Sequence, residues 1–153
     1  MNGADALLAL LAVGVAILLA RGSHPLIGAL LVASAVAVSA LLFLPTEMLG
    51  NWVGMDRVHR SYHLTRSTPL NPPEWIHIIA FAWLGLLIWL GRANFRSWCG
   101  LVLIVGLGAA AELAQWLADG REPSVGDAAL NVAGGLLGVL LAIALRRLFK
   151  RRR

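Results

Sequence analysis

An imidazole, two carboxylates, two amides, a hydroxyl and a guanidinium stand at His77, Glu112, Asp127, Gln115, Asn131, Ser124 and Arg121, in a chain that is otherwise mostly apolar. These groups could do two kinds of chemistry together. Carboxylates and an imidazole move protons as general acids and bases, and a guanidinium holds anionic groups. Glu112 and Gln115 are spaced i, i+3 and share a helix face, with Gly108 one turn earlier on it. Asp127 and Asn131 are spaced i, i+4, and their face continues through Gly134, Gly135 and Gly138. Gly134 and Gly138 form a GxxxG pair, which lets another helix approach closely. The expected neighbour is the helix carrying Glu112, with the carboxylates at the mouth between the two.

Each residue also has a plain alternative. Ser124 fits an N-cap with Asp127 at N3, where an acid favours the helix dipole. The stretch "DGREP" is a turn sequence, which would leave Arg121 a solvated loop residue. Gln115 and Asn131 can serve as interhelical hydrogen-bonding groups, and His77, near Trp75, as an interfacial residue. Grouping of all these residues at one set of helix ends favours a site.

The elements that must position them are apolar helices. Of 153 residues, 59% are hydrophobic and 14% charged, against about 25% charged in a soluble domain. The apolar residues form runs long enough to cross a hydrocarbon core. The expected fold is all-α, a single polytopic membrane domain over 1–153 built as a bundle of about five transmembrane helices near 4–20, 26–44, 75–91, 98–118 and 127–145. The segments are two N-terminal spans (1–44), a loop (45–74), a three-helix core (75–145) and a basic tail (146–153). Glu112 lies six residues from the end of the fourth span, roughly 9 Å deep, where a carboxylate needs a partner. Arg121 and His77 are the available ones.

Basic residues orient the set. With the C-terminus in the cytoplasm, Arg21, Arg92, Arg96 and six tail residues lie inside, against Arg57, Arg60, Arg66 and Arg121 outside, as the positive-inside rule requires. The N-terminus then falls outside, and so do the loop 45–74 and all seven polar residues. A cleavable signal peptide needs a basic start, and "MNGAD" has none, so an uncleaved first helix is expected. The tail cluster after an apolar run points to anionic lipid and away from nucleic acid. A single cysteine, Cys99, excludes an intramolecular disulfide and any CxxC motif; a packed, inert thiol is expected.

In the loop, Asp56, His59 and His63 would share a face if helical. That is a weak metal candidate, since Arg57 and Arg60 would repel a cation; no metal and no cofactor is expected. Trp52, Val53, Met55, Val58 and Tyr62 can instead lay the segment along the membrane interface.

The stretches "EWIHIIAFAWLGLL" and "AELAQWLADGREPSVGDAALNVAGGLLGVLLA" resemble the VanZ-like family of small bacterial membrane proteins, over about residues 72–145. The pattern is a His early in one span, then E-x-x-Q, then R-x-x-S-x-x-D-x-x-x-N: His77, Glu112, Gln115, Arg121, Ser124, Asp127 and Asn131, with Gly135 following. Glu74 and Trp75 stand where the family often has Asp-Lys, Ile78 where an aromatic is typical, and the first span looks additional to the common core. The resemblance implies the bacterial cytoplasmic membrane and a context of low-level teicoplanin resistance, without a settled reaction.

Three functions follow as expectations. One is a site that binds or modulates a cell-envelope lipid, a lipid-linked precursor or a lipophilic glycopeptide. The alternative is an intramembrane hydrolase or transferase acting on a lipid-linked substrate, with Glu112, Asp127 and His77 as acid-base groups. The third is a structural partner of another membrane protein, or an oligomer, assembled through Gly134 and Gly138.

Overall fold

A computed structural model describes residues 3–43, 54, 68–117 and 124–151. Among these residues there are five α-helices and no strand: α1 (Gly3–Ala20), α2 (Pro25–Phe43), α3 (Pro72–Gly91), α4 (Trp98–Leu117) and α5 (Val125–Arg151). A 3-10 turn at Ala93–Phe95 links α3 to α4. The expected ends at 44 and 118 lie outside the described residues, and the helices otherwise lie within about three residues of the expected limits except at the end of α5. There the helix runs on through Arg146, Arg147 and Lys150 into the basic tail. Arg and Lys are good helix formers, and cations suit a helix C-terminus.

Among the described residues two helices are long and apolar enough to cross a membrane, over Glu74–Gly91 and Val125–Lys150. The apolar stretches Ala6–Ala20, Pro25–Ser39 and Trp98–Ala114 are shorter within the described residues. Leu10, Val102, Ile79 and Leu140 are each more than half exposed. Such faces suit hydrocarbon better than water.

Local sequence sets the turns. Gly22 takes a left-handed φ of 78° just past α1, a conformation open to glycine without strain, and the chain reverses into α2. The α3 start carries Pro72 and Pro73, tolerated in a first turn where N–H groups have no helical partner. The Asn71 N–H donates to Glu74 Oε2 at 2.6 Å, so Glu74 caps its own helix. At the far end of α3, Arg96 donates to the carbonyls of Trp89 (3.1 Å) and Leu90 (3.3 Å). Burial, and then the charge of Arg146, hold the Arg96 pKa below the usual arginine value. The C-terminal cluster therefore lies at the same end of the bundle as the α3–α4 turn.

One small core joins all five helices, through Leu19, Leu31, Leu87, Ile88, Ile104 and Val139. The closest packing is between α3 and α5, which run parallel. A Cβ added to Gly134 would meet the Ile78 carbonyl oxygen, one on Gly138 the Ala82 oxygen, and one on Gly85 the Gly135 oxygen. The GxxxG face of α5 thus meets chiefly α3. The expected neighbour α4 touches it at Gly135 through Ile104 and at Gly108 through Val132. α4 runs antiparallel to both and has fewer partners. Cys99 and Trp98 in its first turn are exposed, contrary to the packed thiol expected.

Gly138→Leu is expected to destabilise the bundle by about 1–3 kcal/mol or more, the usual range for overpacking. Gly14→Ala, at a helix-interior position with open space around it, is expected to stabilise by roughly 0.5–1 kcal/mol through helix propensity. Denaturant unfolding in detergent, followed by circular dichroism, separates the two.

Candidate functional site

The parallel contact of α3 and α5 brings His77 beside Asn131, and α4 returns to the same end with Glu112. Asn131 is completely buried (0% exposed), so its amide must find partners within the protein. Its Nδ2 donates to Glu112 Oε1 at 3.1 Å and to the Gly108 carbonyl at 3.4 Å. Its Oδ1 lies 2.8 Å from His77 Nδ1. One amide therefore ties three helices.

Glu112 is also buried, at 5% exposure. Its Oε2 accepts the Ser124 N–H at 3.4 Å, while Ser124 Oγ accepts the Asp127 N–H at 3.3 Å. In a capping box an acidic residue at N3 would reach back to the N-cap N–H. Here Glu112 from α4 takes that hydrogen bond at the start of α5. The positive end of the α5 dipole faces the carboxylate, and its bonds with N–H donors are charge-assisted. These contacts explain how a carboxylate is buried here. His77 Nδ1 lies 4.0 Å from Glu112 Oε1, with the Asn131 amide joining the two.

The remaining candidates are placed differently. Asp127 is half-buried in the first turn of α5. Arg121, the other expected partner of Glu112, lies outside the described residues, as do Asp56, His59 and His63 and the Gln115 side chain. Among the described residues no group of three or more His, Cys, Asp and Glu could hold a metal. Sequence reasoning misses two parts of the cluster: the Gly108 carbonyl acting as an acceptor, and Gly85 on α3. A lone glycine in an apolar helix is a sign of close approach that points to the second.

A cleft of about 500 Å³ lies on the other side of α3 and α4, closed by α1 and α2. Its walls include Ala80, Phe81 and Leu84 on α3, which begin one turn from His77, and Leu117 at the end of α4. Apart from Ser34 and Ser39 the lining is apolar or aromatic. Ser34 Oγ donates to the Leu30 carbonyl at 2.6 Å and accepts from Trp83 Nε1 at 2.9 Å. At roughly 30 Å³ for each water-sized group, the cleft has room for about one hydrocarbon chain.

A family model described as VanZ/LLP1 matches residues 7–147. The match is wider than the resemblance over 72–145 and takes in α1 and α2, so the first helix lies inside the family region and is not an addition to it. No curated protein and no solved structure matches the chain.

Replacing Asn131 by Ala leaves His77, Glu112 and the Gly108 carbonyl each short of a partner, and is expected to cost about 1–3 kcal/mol. Ser124→Ala removes only a cap and is expected to cost about 1 kcal/mol. Equilibrium unfolding of both variants in detergent checks the order.

Proposed function

The chain belongs to the VanZ/LLP1 family, and from that premise we propose that it is a five-span protein of the bacterial cytoplasmic membrane whose polar cluster binds or modulates a lipid-bearing molecule of the cell envelope. The N-terminus lies outside and the C-terminus in the cytoplasm. The candidate ligands are an envelope lipid, a lipid-linked precursor or a lipophilic glycopeptide; the last fits the teicoplanin context that the family resemblance implies. The observation that carries this reading is the joining of His77, Asn131 and Glu112 at one end of the bundle, one helical turn from a cleft that fits a hydrocarbon chain. A polar head and an apolar tail would then have adjacent places.

Three observations support the membrane setting: two helices of crossing length, apolar outward faces, and a basic cluster at the end opposite the polar site. The charge bias puts that basic end in the cytoplasm. The His77 end then faces outward.

A second reading is supported by the same network. An imidazole held by a buried amide and carboxylate is how a general base is oriented. On that reading the protein is an intramembrane hydrolase or transferase for a lipid-linked substrate. Asp127 and Glu112 would be its other acid-base groups.

Purification from bacterial membrane without delipidation, with mass spectrometry of the retained lipids, distinguishes these readings. A specific anionic or lipid-linked molecule on both wild type and Glu112→Gln is the expected result for binding. A molecule that accumulates only on the variant indicates catalysis. Bulk phospholipid alone on both would overturn both readings in favour of an assembly role. The topology is checked by reporter fusions, with a C-terminal fusion expected to be active only if the reporter works in the cytoplasm.

A further inference from the structure

The donors and acceptors around Asn131 fix more than its own position. The Gly108 carbonyl, an oxygen that can only accept, lies on one side of the amide together with Glu112 Oε1. That side must be the NH2 group, since the flipped amide would set its oxygen against the Gly108 carbonyl. The amide oxygen therefore faces His77, and an amide oxygen only accepts. His77 Nδ1, at 2.8 Å from it, must carry a hydrogen. In a neutral ring the lone pair then sits on Nε2, which no group among the described residues bonds. The ring is not sealed in, since its side chain retains 16% exposure.

We propose that Asn131 and Glu112 are positioning residues that hold His77 as its Nδ1-protonated tautomer, and that His77 Nε2 is the ligand-facing atom, accepting a hydrogen bond from an O–H group. The inference deepens the proposed lipid-binding reading and rests on it for the nature of the ligand. The O–H donor is a headgroup hydroxyl. The chemistry follows from the order of the chain of groups. The Gly108 carbonyl can only accept, so Asn131 donates on that side, to it and to Glu112. Asn131 then accepts from Nδ1, and the alternation leaves an acceptor at the free end. A basic residue at position 131 would reverse that polarity, and an apolar one would end it.

The test is nitrogen NMR on full-length protein with 15N-labelled histidine in lipid nanodiscs at neutral pH, with His77 assigned by its loss in His77→Phe. Two disc compositions are used: phosphatidylmethanol, whose headgroup has no hydroxyl, and phosphatidylglycerol, which has the same charge and two hydroxyls. The expected result is a proton on Nδ1 and none on Nε2 in wild type, with an Nε2 resonance that shifts between the two discs. In Asn131→Leu the preference for Nδ1 should be lost while the helix content stays. Asn131→Gln, which keeps the amide, should retain at least part of it. A proton on Nε2, or on both nitrogens, would overturn the positioning role. An unprotonated Nε2 that does not respond to the hydroxyl lipid would overturn the acceptor role, as would a tautomer indifferent to Asn131→Leu. Failure here is separable from failure of the broader reading. A specific lipid retained during purification with an Nε2-protonated ring would sink only this inference. The expected tautomer with no specific lipid retained would sink only the binding reading.

Discussion

The approach of α3 to α5 without intervening side chains is the constraint on which the rest depends. Ile78 and Ala82 present backbone oxygens to positions 134 and 138, and Gly135 presents its own to position 85. Any Cβ at those three glycines would collide with main chain. Because backbone cannot move aside as a flexible side chain can, the two helices keep a fixed separation and a parallel register. One turn further along that register, the His77 ring reaches the Asn131 amide. The same spacing leaves room for Ile104 of α4 against Gly135, which places α4 with its Glu112 over the start of α5.

Polar atoms at this depth are tolerated because each has a partner. Among the described residues no buried side-chain nitrogen or oxygen lacks one. An unpartnered amide in an apolar setting costs several kcal/mol, so the cluster specifies one arrangement of three helices. Apolar packing could not do that, since lipid tails contact leucine as well as another helix does. Glu112 answers a second need. The first N–H groups of α5 have no helical acceptors, and Ser124 with Glu112 supplies two of them. A residue that looks like a catalytic acid from its type is thus also a cap on a neighbouring helix, and loss of activity on its removal would mean little without a measurement of folding.

The bundle has two unlike sides. Between α3, α4 and α5 it is tied by directional bonds around Asn131. Between α3, α4 and the α1–α2 hairpin it is held, among the described residues, by apolar contacts and one tryptophan–serine bond, and it leaves a cleft. Dispersion and burial contacts can give way at modest cost, whereas the polar cluster cannot without exposing unpaired groups. On the proposed lipid-binding reading, a ligand chain entering the cleft would displace the softer side while the polar groups stay fixed.

The sequence by itself determined the helices, their approximate limits and the end of each helix at which a polar residue stands. Composition and run length suffice for the first two, and helix alternation for the third. It also carried the Ser124–Asp127 cap, because a cap is local and its partners lie three residues apart. It did not carry the choice of neighbours. In apolar helices the faces toward lipid and toward protein are made of the same residue types, so periodicity hardly marks the buried side. The glycine face of α5 announced close packing without saying against what, and only the tertiary structure decided for α3 over α4. For the same reason Asn131 looked like one polar residue among seven. Its place at the centre of the cluster comes from three helices meeting at one amide, an arrangement built from contacts 19, 23 and 54 residues apart.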